Sequence, residues 1–170
     1  MYRKLILTVL AVAAWSGTGC GYYSFTGASV PEHLQTIAIP LTEDMAASPI
    51  ATLDEQLTEL LVQRFVGQTR LTLEPSEPEA DAVLATRIDR YSNTPSAVSG
   101  DETATLSRIT ISVSVTYTDQ REQRELLQRS FSGFEDFDPI GEGLEGELTA
   151  AATALQNIAD DVFTAATSNW

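Results

Sequence analysis

One thiol, one imidazole and a surplus of carboxylates are the groups in this 170-residue chain that could do chemistry. Cys20 is the only cysteine and His33 the only histidine, whereas Asp and Glu number 24 against 10 Lys and Arg. A Ser-His-Asp or Cys-His set needs a base beside its nucleophile, and His33 is the one imidazole that could serve. No Cys/His spacing suggests a zinc ligand set. The "GEGLEG" stretch at 141–146 lacks both a preceding strand and a following lysine, so it is no phosphate loop. Carboxylates are plentiful enough for a glycosidase-type pair, but a solvated acidic surface is the simpler account of them. His33 is expected in a surface or packing role. The pattern argues against an enzyme, with no metal and no cofactor.

Cys20 is different, because of what precedes it. Arg3 and Lys4 are followed by the apolar run "LILTVLAVAAW" at 5–15 and then by small residues at 16–19. Basic, apolar and small segments in that order make a secretory signal peptide. The run is shorter than the roughly 17–25 residues that a spanning helix needs. Small residues ending in a cysteine are similar to the bacterial lipobox, where that cysteine becomes the lipidated first residue. Thr18 and Gly19 suit that pattern, and Gly17 replaces its usual aliphatic residue. The competing reading is ordinary cleavage after Gly19 that leaves an unmodified thiol. In an oxidising periplasm a lone exposed thiol is a liability, which acylation removes. Two or more acyl chains give stable anchoring where one does not. Gly21 follows, not the aspartate that signals inner-membrane retention, so an outer-membrane address is expected.

Residues 20–170 amount to one domain's worth of chain. We expect a signal peptide at 1–19, a lipidated N-terminal segment at 20–34 and a single domain at 35–170. Both Arg3 and Lys4 lie in the leader and Lys4 is the only lysine, so eight arginines face 24 carboxylates beyond it. Such acidity excludes nucleic-acid binding, which needs a basic patch. Hydrophobic content of 43% is that of a folded domain. Self-repulsion at this charge is relieved by salt, which fits a saline habitat; an acidic periplasmic protein of ordinary habitat is the alternative.

The elements that must position these groups follow from periodicity. Residues 36–41 read as a short strand and 42–51 as a polar loop. Thr52 with Glu55 forms a capping box at the head of a helix carrying Leu53, Leu57, Leu60, Leu61 and Phe65, with Gly67 as its C′ residue. Residues 69–73 and 82–91 read as strands, and 92–102, with Pro95, as a hairpin connection. In "RITISVSVTYTD" the odd positions Ile109, Ile111, Val113, Val115 and Tyr117 are apolar, whereas Thr110, Ser112, Ser114, Thr116 and Thr118 are polar. Strict period two means one face on a core and one polar face. A further strand at 124–134 has Leu127 and Phe131 as inward anchors. Leu144, Leu148, Ala151, Leu155, Ile158, Val162, Phe163 and Ala166 mark a long amphipathic helix. The expected fold is α+β: a two-layer sandwich, two amphipathic helices on one face of a mixed, largely antiparallel sheet.

The stretches "CGYYSFTGASVPEHLQTIAIP", "RITISVSVTY", "RSFSGFEDF" and "IADDVFTAATSNW", with the T-x-x-E helix between them, resemble the lipopolysaccharide-assembly lipoprotein family LptE in its Bacteroidetes-like form. The resemblance runs in order from Cys20 to the C-terminus. It implies an anchor in the inner leaflet of the outer membrane, a place in the lumen of the β-barrel LptD, help in assembling that barrel, and delivery of lipopolysaccharide to the outer leaflet. The physics allows it, since a domain with one polar sheet face can sit in a polar-lined barrel. Thr110, Ser112, Ser114 and Thr116 are the expected partner-facing residues. Lipopolysaccharide phosphates would need arginine, and Arg90 with Arg108, meeting across a hairpin, are the candidates. Arg87 and Arg90 are expected on opposite strand faces. Two other readings remain: a lipoprotein binding another amphiphile or envelope component, and a periplasmic hydrolase.

Overall fold

A computed structural model describes residues 30–46, 48–98 and 105–168; the expectations for the leader and for Cys20 lie outside them. Its longest regular feature is the strand that alternation demanded. β5 (Thr105–Asp119) buries Ile109, Ile111, Val113, Val115 and Tyr117 to 1% exposure or less, while Thr110, Ser112, Ser114 and Thr116 stay partly exposed on the other face. Around it, in chain order, are β1 (Thr36–Ala38), β2 (Glu43–Asp44), α1 (Leu53–Gln68), β3 (Thr72–Leu73), a 3-10 turn (Glu77–Glu79), β4 (Ala82–Val98), β6 (Arg124–Phe137) and α2 (Gly143–Thr167).

The sheet runs β3-β1-β4-β5-β6, with β2 also on β4. β4, β5 and β6 are antiparallel neighbours, whereas β1 and β2 pair in parallel with β4, Ile37 opposite Ala82 and Glu43 opposite Arg87. Both helices pack on one face and the sheet stays open, so the fold is the expected α+β two-layer sandwich. Leu57, Leu61 and Phe65 of α1 and Leu155, Ile158 and Val162 of α2 fill the space between layers. Phe65 meets Phe163 edge-on at 5.4 Å between centroids and Tyr117 at 5.9 Å. Such tilted aromatic contacts add to the burial energy.

Several local expectations give way to tertiary context. The strand expected at 36–41 stops at Ala38, because Pro40 cannot donate to a ladder. It resumes as β2 inside what reads as a loop. Thr52 makes no side-chain cap; its Oγ1 accepts from Gln56 Nε2 at 2.9 Å, so the capping box with Glu55 does not form. Gly67 lies inside the last turn, with Thr69 as the C-cap. β4 runs seven residues past the expected end, through Pro95. No strand flanks β4 there on its other edge among the described residues, so a missing N–H costs that edge nothing. Leu144 and Leu148, expected in the buried stripe of α2, are 70% and 44% exposed. Phe131 is buried and Leu127 partly so, as the inward anchors of β6.

Candidate functional site

The open sheet face is built by the outward residues of three strands. Ser112 of β5 lies opposite Ser132 and Ser114 opposite Ser130, with hydroxyls 3.3 and 3.4 Å apart. Thr110, Ser112, Ser114 and Thr116 therefore stand together in a field of short hydroxyls. Part of this face is a shallow concavity of about 730 Å³ whose lining includes Leu41, Arg87, Ser114, Thr116, Gln128 and Ser130. The serines of β6 were legible as alternation in "RSFSGF", which the expectation for that strand did not use.

A bulge shapes the charge on this face. Ile88 pairs with Val113 and Arg90 with Ser112, so Asp89 is the extra residue. Arg87 pairs with Ser114. Since Ser112 and Ser114 share a face, so do Arg87 and Arg90, contrary to the expectation of opposite faces. Uninterrupted strand parity would separate them; the bulge resets it. Arg87 Nε donates to Asp89 Oδ1 at 2.7 Å, and the Ser114 hydroxyl donates to Asp89 Oδ2. The Ser114 bond first, and then Arg87, hold the Asp89 carboxyl below the usual range. Arg90 is exposed and makes no ion pair among the described residues.

Arg108 does not meet Arg90. It pairs with Thr94, four residues along β5 from the partner of Arg90, or roughly 13 Å. Its guanidinium forms a fork on Asp136 (2.9 and 2.8 Å) and lies 4.4 Å over the Phe134 ring. That clasp occupies both the charge and the planar face of Arg108.

A second cluster of titratable groups lies at the opposite end of the sheet. His33 Nε2 is 2.5 Å from Asp119 Oδ2 and 3.9 Å from Glu122 Oε1. Asp119 Oδ1 accepts the Glu122 N–H at 2.9 Å. Burial pushes the Asp119 carboxyl up, yet the Glu122 N–H, His33 and the Arg121 N–H outweigh it and bring it down. Asp81 takes the N–H of Gln35 (2.8 Å) and Thr36 (3.2 Å) and the Arg121 Nε (2.6 Å). These contacts latch the entering chain, at 33–36, onto the β5–β6 turn. The ligand-type atoms of His33, Asp119 and Glu122 lie within 4.8 Å of one another, a convergence that the spacing 33, 119, 122 does not reveal. These three could hold a divalent ion, although hydrogen bonding within the cluster already satisfies Asp119.

The fold and this face define a two-layer α+β domain that presents a hydroxyl-lined sheet surface, its arginines mostly paired. The chain belongs to the LptE lipopolysaccharide-assembly family, whose sequence model matches residues 34–166. Its fold is also that of the hypothetical protein CT253 from Chlamydia trachomatis (TM-score 0.54, 13% identity, 80% of this chain and 99% of that one). A neuraminyllactose-binding hemagglutinin homologue from Helicobacter pylori is similar at TM-score 0.57 and 7% identity, over 84% of this chain and 88% of that one. A PelC dodecamer from Paraburkholderia phytofirmans, in a singly substituted form, is similar at TM-score 0.52 and 9% identity, over 84% and 96%. At such identities the likeness is one of fold. No curated protein matches the chain.

Proposed function

We propose that the chain is an outer-membrane lipoprotein, acylated at Cys20, that sits in the lumen of an LptD-type β-barrel, assists assembly of that barrel and helps deliver lipopolysaccharide to the outer leaflet. The observation that carries this reading is the open face of β5 and β6 in a chain of the LptE family. Its short hydroxyls can exchange water for the polar lining of a barrel at little net cost. Among the described residues no helix is long and apolar enough to cross a membrane. The membrane attachment in this reading is the acyl anchor on Cys20. Of the two arginines offered to lipopolysaccharide phosphates, Arg90 has no ion pair among the described residues, and Arg108 is held by Asp136.

Co-purification from detergent-solubilised outer membrane tests the reading. Wild-type protein should retain a large barrel protein, and Ser112→Arg/Ser114→Arg should lose most of it while melting as before. Retention of no barrel by the wild type refutes the proposal. Normal retention by the double variant removes this face as the contact surface. Cys20→Ala should release the protein from the membrane fraction, and unchanged fractionation with no acyl mass on the wild type excludes the anchor.

A further inference from the structure

α1 and α2 lie side by side and run in the same direction. Gln56 and Leu60 border the same hollow as Ala152 and Gln156, Arg64 bonds to Asp160, and Phe65 meets Phe163. The offset places the first residue of α1, Leu53, level with about residue 149 of α2. α2 begins at Gly143, so its first turn and a half, about 9 Å, extends beyond the end of α1. The apolar stripe does not stop there. Leu144 and Leu148 continue the line of Ala151, Leu155 and Val162 at helical spacing. The last three are at most 1% exposed, whereas Leu144 is 70% and Leu148 44% exposed, with Ile140 at 81% just before them. The stripe loses its cover where α1 is absent.

Beside this overhang the sheet also has an open edge. β1 and β2 occupy the outer edge of β4 as far as Ile88, where the Met45 N–H bonds to the Ile88 carbonyl at 3.0 Å. From Arg90 onward β4 pairs only with β5 among the described residues. Pro95 then removes a donor and a second bulge follows, which leaves residues 90–94 as the stretch able to pair. The Tyr91 hydroxyl donates to Glu147 Oε1 at 2.7 Å, so the overhang stands over this same stretch.

We propose that the β4 edge at residues 90–94 and the α2 overhang at Leu144 and Leu148 together receive an extended, apolar-and-basic segment of the partner barrel protein, added as a strand beside β4. The inference rests on the proposed function. Strand addition supplies main-chain bonds, and alternate side chains reach the second layer, where Leu144 and Leu148 offer an apolar wall. Charge selects the occupant. Glu147, three residues on from Leu144, and Glu145, three before Leu148, flank the wall, and Asp44 ends the neighbouring strand, so Lys or Arg on the segment is favoured. A second copy of this chain, at net charge −14, is repelled, and an anionic lipid surface is repelled by the same carboxylates. The chain's own residues 20–29 carry no lysine or arginine, so the charge of the site does not favour them.

The test uses full-length lipidated protein from solubilised outer membrane. Leu144→Glu/Leu148→Glu should retain at least tenfold less barrel than wild type, with an unchanged melting midpoint because both side chains are exposed. Leu144→Met/Leu148→Met should retain it fully. A photo-crosslinking residue at position 148 should yield an adduct to a barrel peptide containing apolar and basic residues, and the same residue at position 59 should yield none. If wild type holds the barrel and the Glu variant holds it equally, the docking site is wrong while the function stands. An adduct to a second copy, to this chain or to lipid overturns it too. If wild type holds no barrel, both fall.

Discussion

Gly133→Ala and Gly67→Ala are the same chemical change with opposite expected signs. Gly133 lies on the inner face of β6 beneath α2, and a Cβ placed there would fall 2.3 Å from the Ala154 carbonyl oxygen and 2.9 Å from Ile158 Cγ1. Carbon–oxygen contacts settle near 3.3 Å even when they are close, so α2 must retreat by roughly 1 Å. A gap of that size forfeits about a quarter to a half of the attraction in each contact it opens. Overpacking of this kind costs about 1–3 kcal/mol. Replacing glycine returns about 0.5–1 kcal/mol through the unfolded chain. The central values of the two leave a loss of about 1 kcal/mol, which lowers the melting midpoint by about 2–4 °C in a domain of this size. Gly67 lies in the last turn of α1 with nothing within 4 Å of the added methyl. Only backbone entropy and helix propensity act there, so Gly67→Ala should gain about 0.5–1 kcal/mol. Urea and thermal unfolding followed by circular dichroism read both variants on one scale. A Gly133→Ala variant as stable as wild type would mean that α2 is not seated on β6 at that point.

Val113→Asp buries an unpaired charge in the middle of the core and should cost several kcal/mol, whereas Ser112→Asp on the open face should be mild; equal unfolding of both in chemical denaturation would mean that the sheet is covered on both sides. Asp81 and Asp119 are held below the ordinary carboxylate range, in each case because hydrogen bonds outweigh the upward push of burial. The stability they contribute is present above the unfolded carboxylate pKa and is lost as pH falls through the lowered folded values. The urea midpoint should therefore fall below about pH 4, and Asp81→Asn should flatten part of that fall; an Asp81→Asn curve parallel to wild type would refute the role of Asp81. With 24 acidic and 10 basic residues, the melting midpoint should rise between 0.1 and 1 M salt, as the Debye length shrinks from about 10 to about 3 Å; a flat response removes the case for a saline habitat.

What was legible in the sequence was whatever rests on an unbroken period. β5 was readable because its alternation runs from Ile109 to Tyr117 without a fault, and both helices were readable from leucine and alanine stripes. What was hidden depends on neighbours distant in sequence. The bulge at Asp89 moves Arg90 onto the face of Arg87, and no residue type in "RIDR" announces it. Pro95 reads as a strand breaker, yet it sits harmlessly on an edge whose openness only the topology defines. Thr52 and Glu55 have capping-box spacing, but Thr52 spends its hydroxyl on Gln56. Leu144 and Leu148 obey the helical stripe and are still exposed, because α1 begins too late in the packing to cover them. His33, Asp119 and Glu122 are brought together by register, which no local pattern encodes.

The distribution of charge gives the open face its meaning. Seven carboxylates lie away from it on the helical layer: Asp54, Glu55, Glu59, Glu145, Glu147, Asp160 and Asp161 all belong to α1 or α2. On the sheet face Asp89 and Asp136 are each matched by an arginine, Glu43 and Glu77 stand at the margin of the concavity, and serine and threonine fill the centre. Covering an unpaired carboxylate would cost several kcal/mol, whereas a hydroxyl can trade its water for a polar wall at little net cost. The face that can be covered cheaply is therefore the sheet, and the face that must stay in water is the helical one. The α2 overhang departs from that division, since it sets Leu144 and Leu148 among acidic neighbours. An apolar stripe fringed with carboxylates is poorly served by water or by an anionic membrane, and well served by a segment whose apolar side chains are interleaved with arginine or lysine.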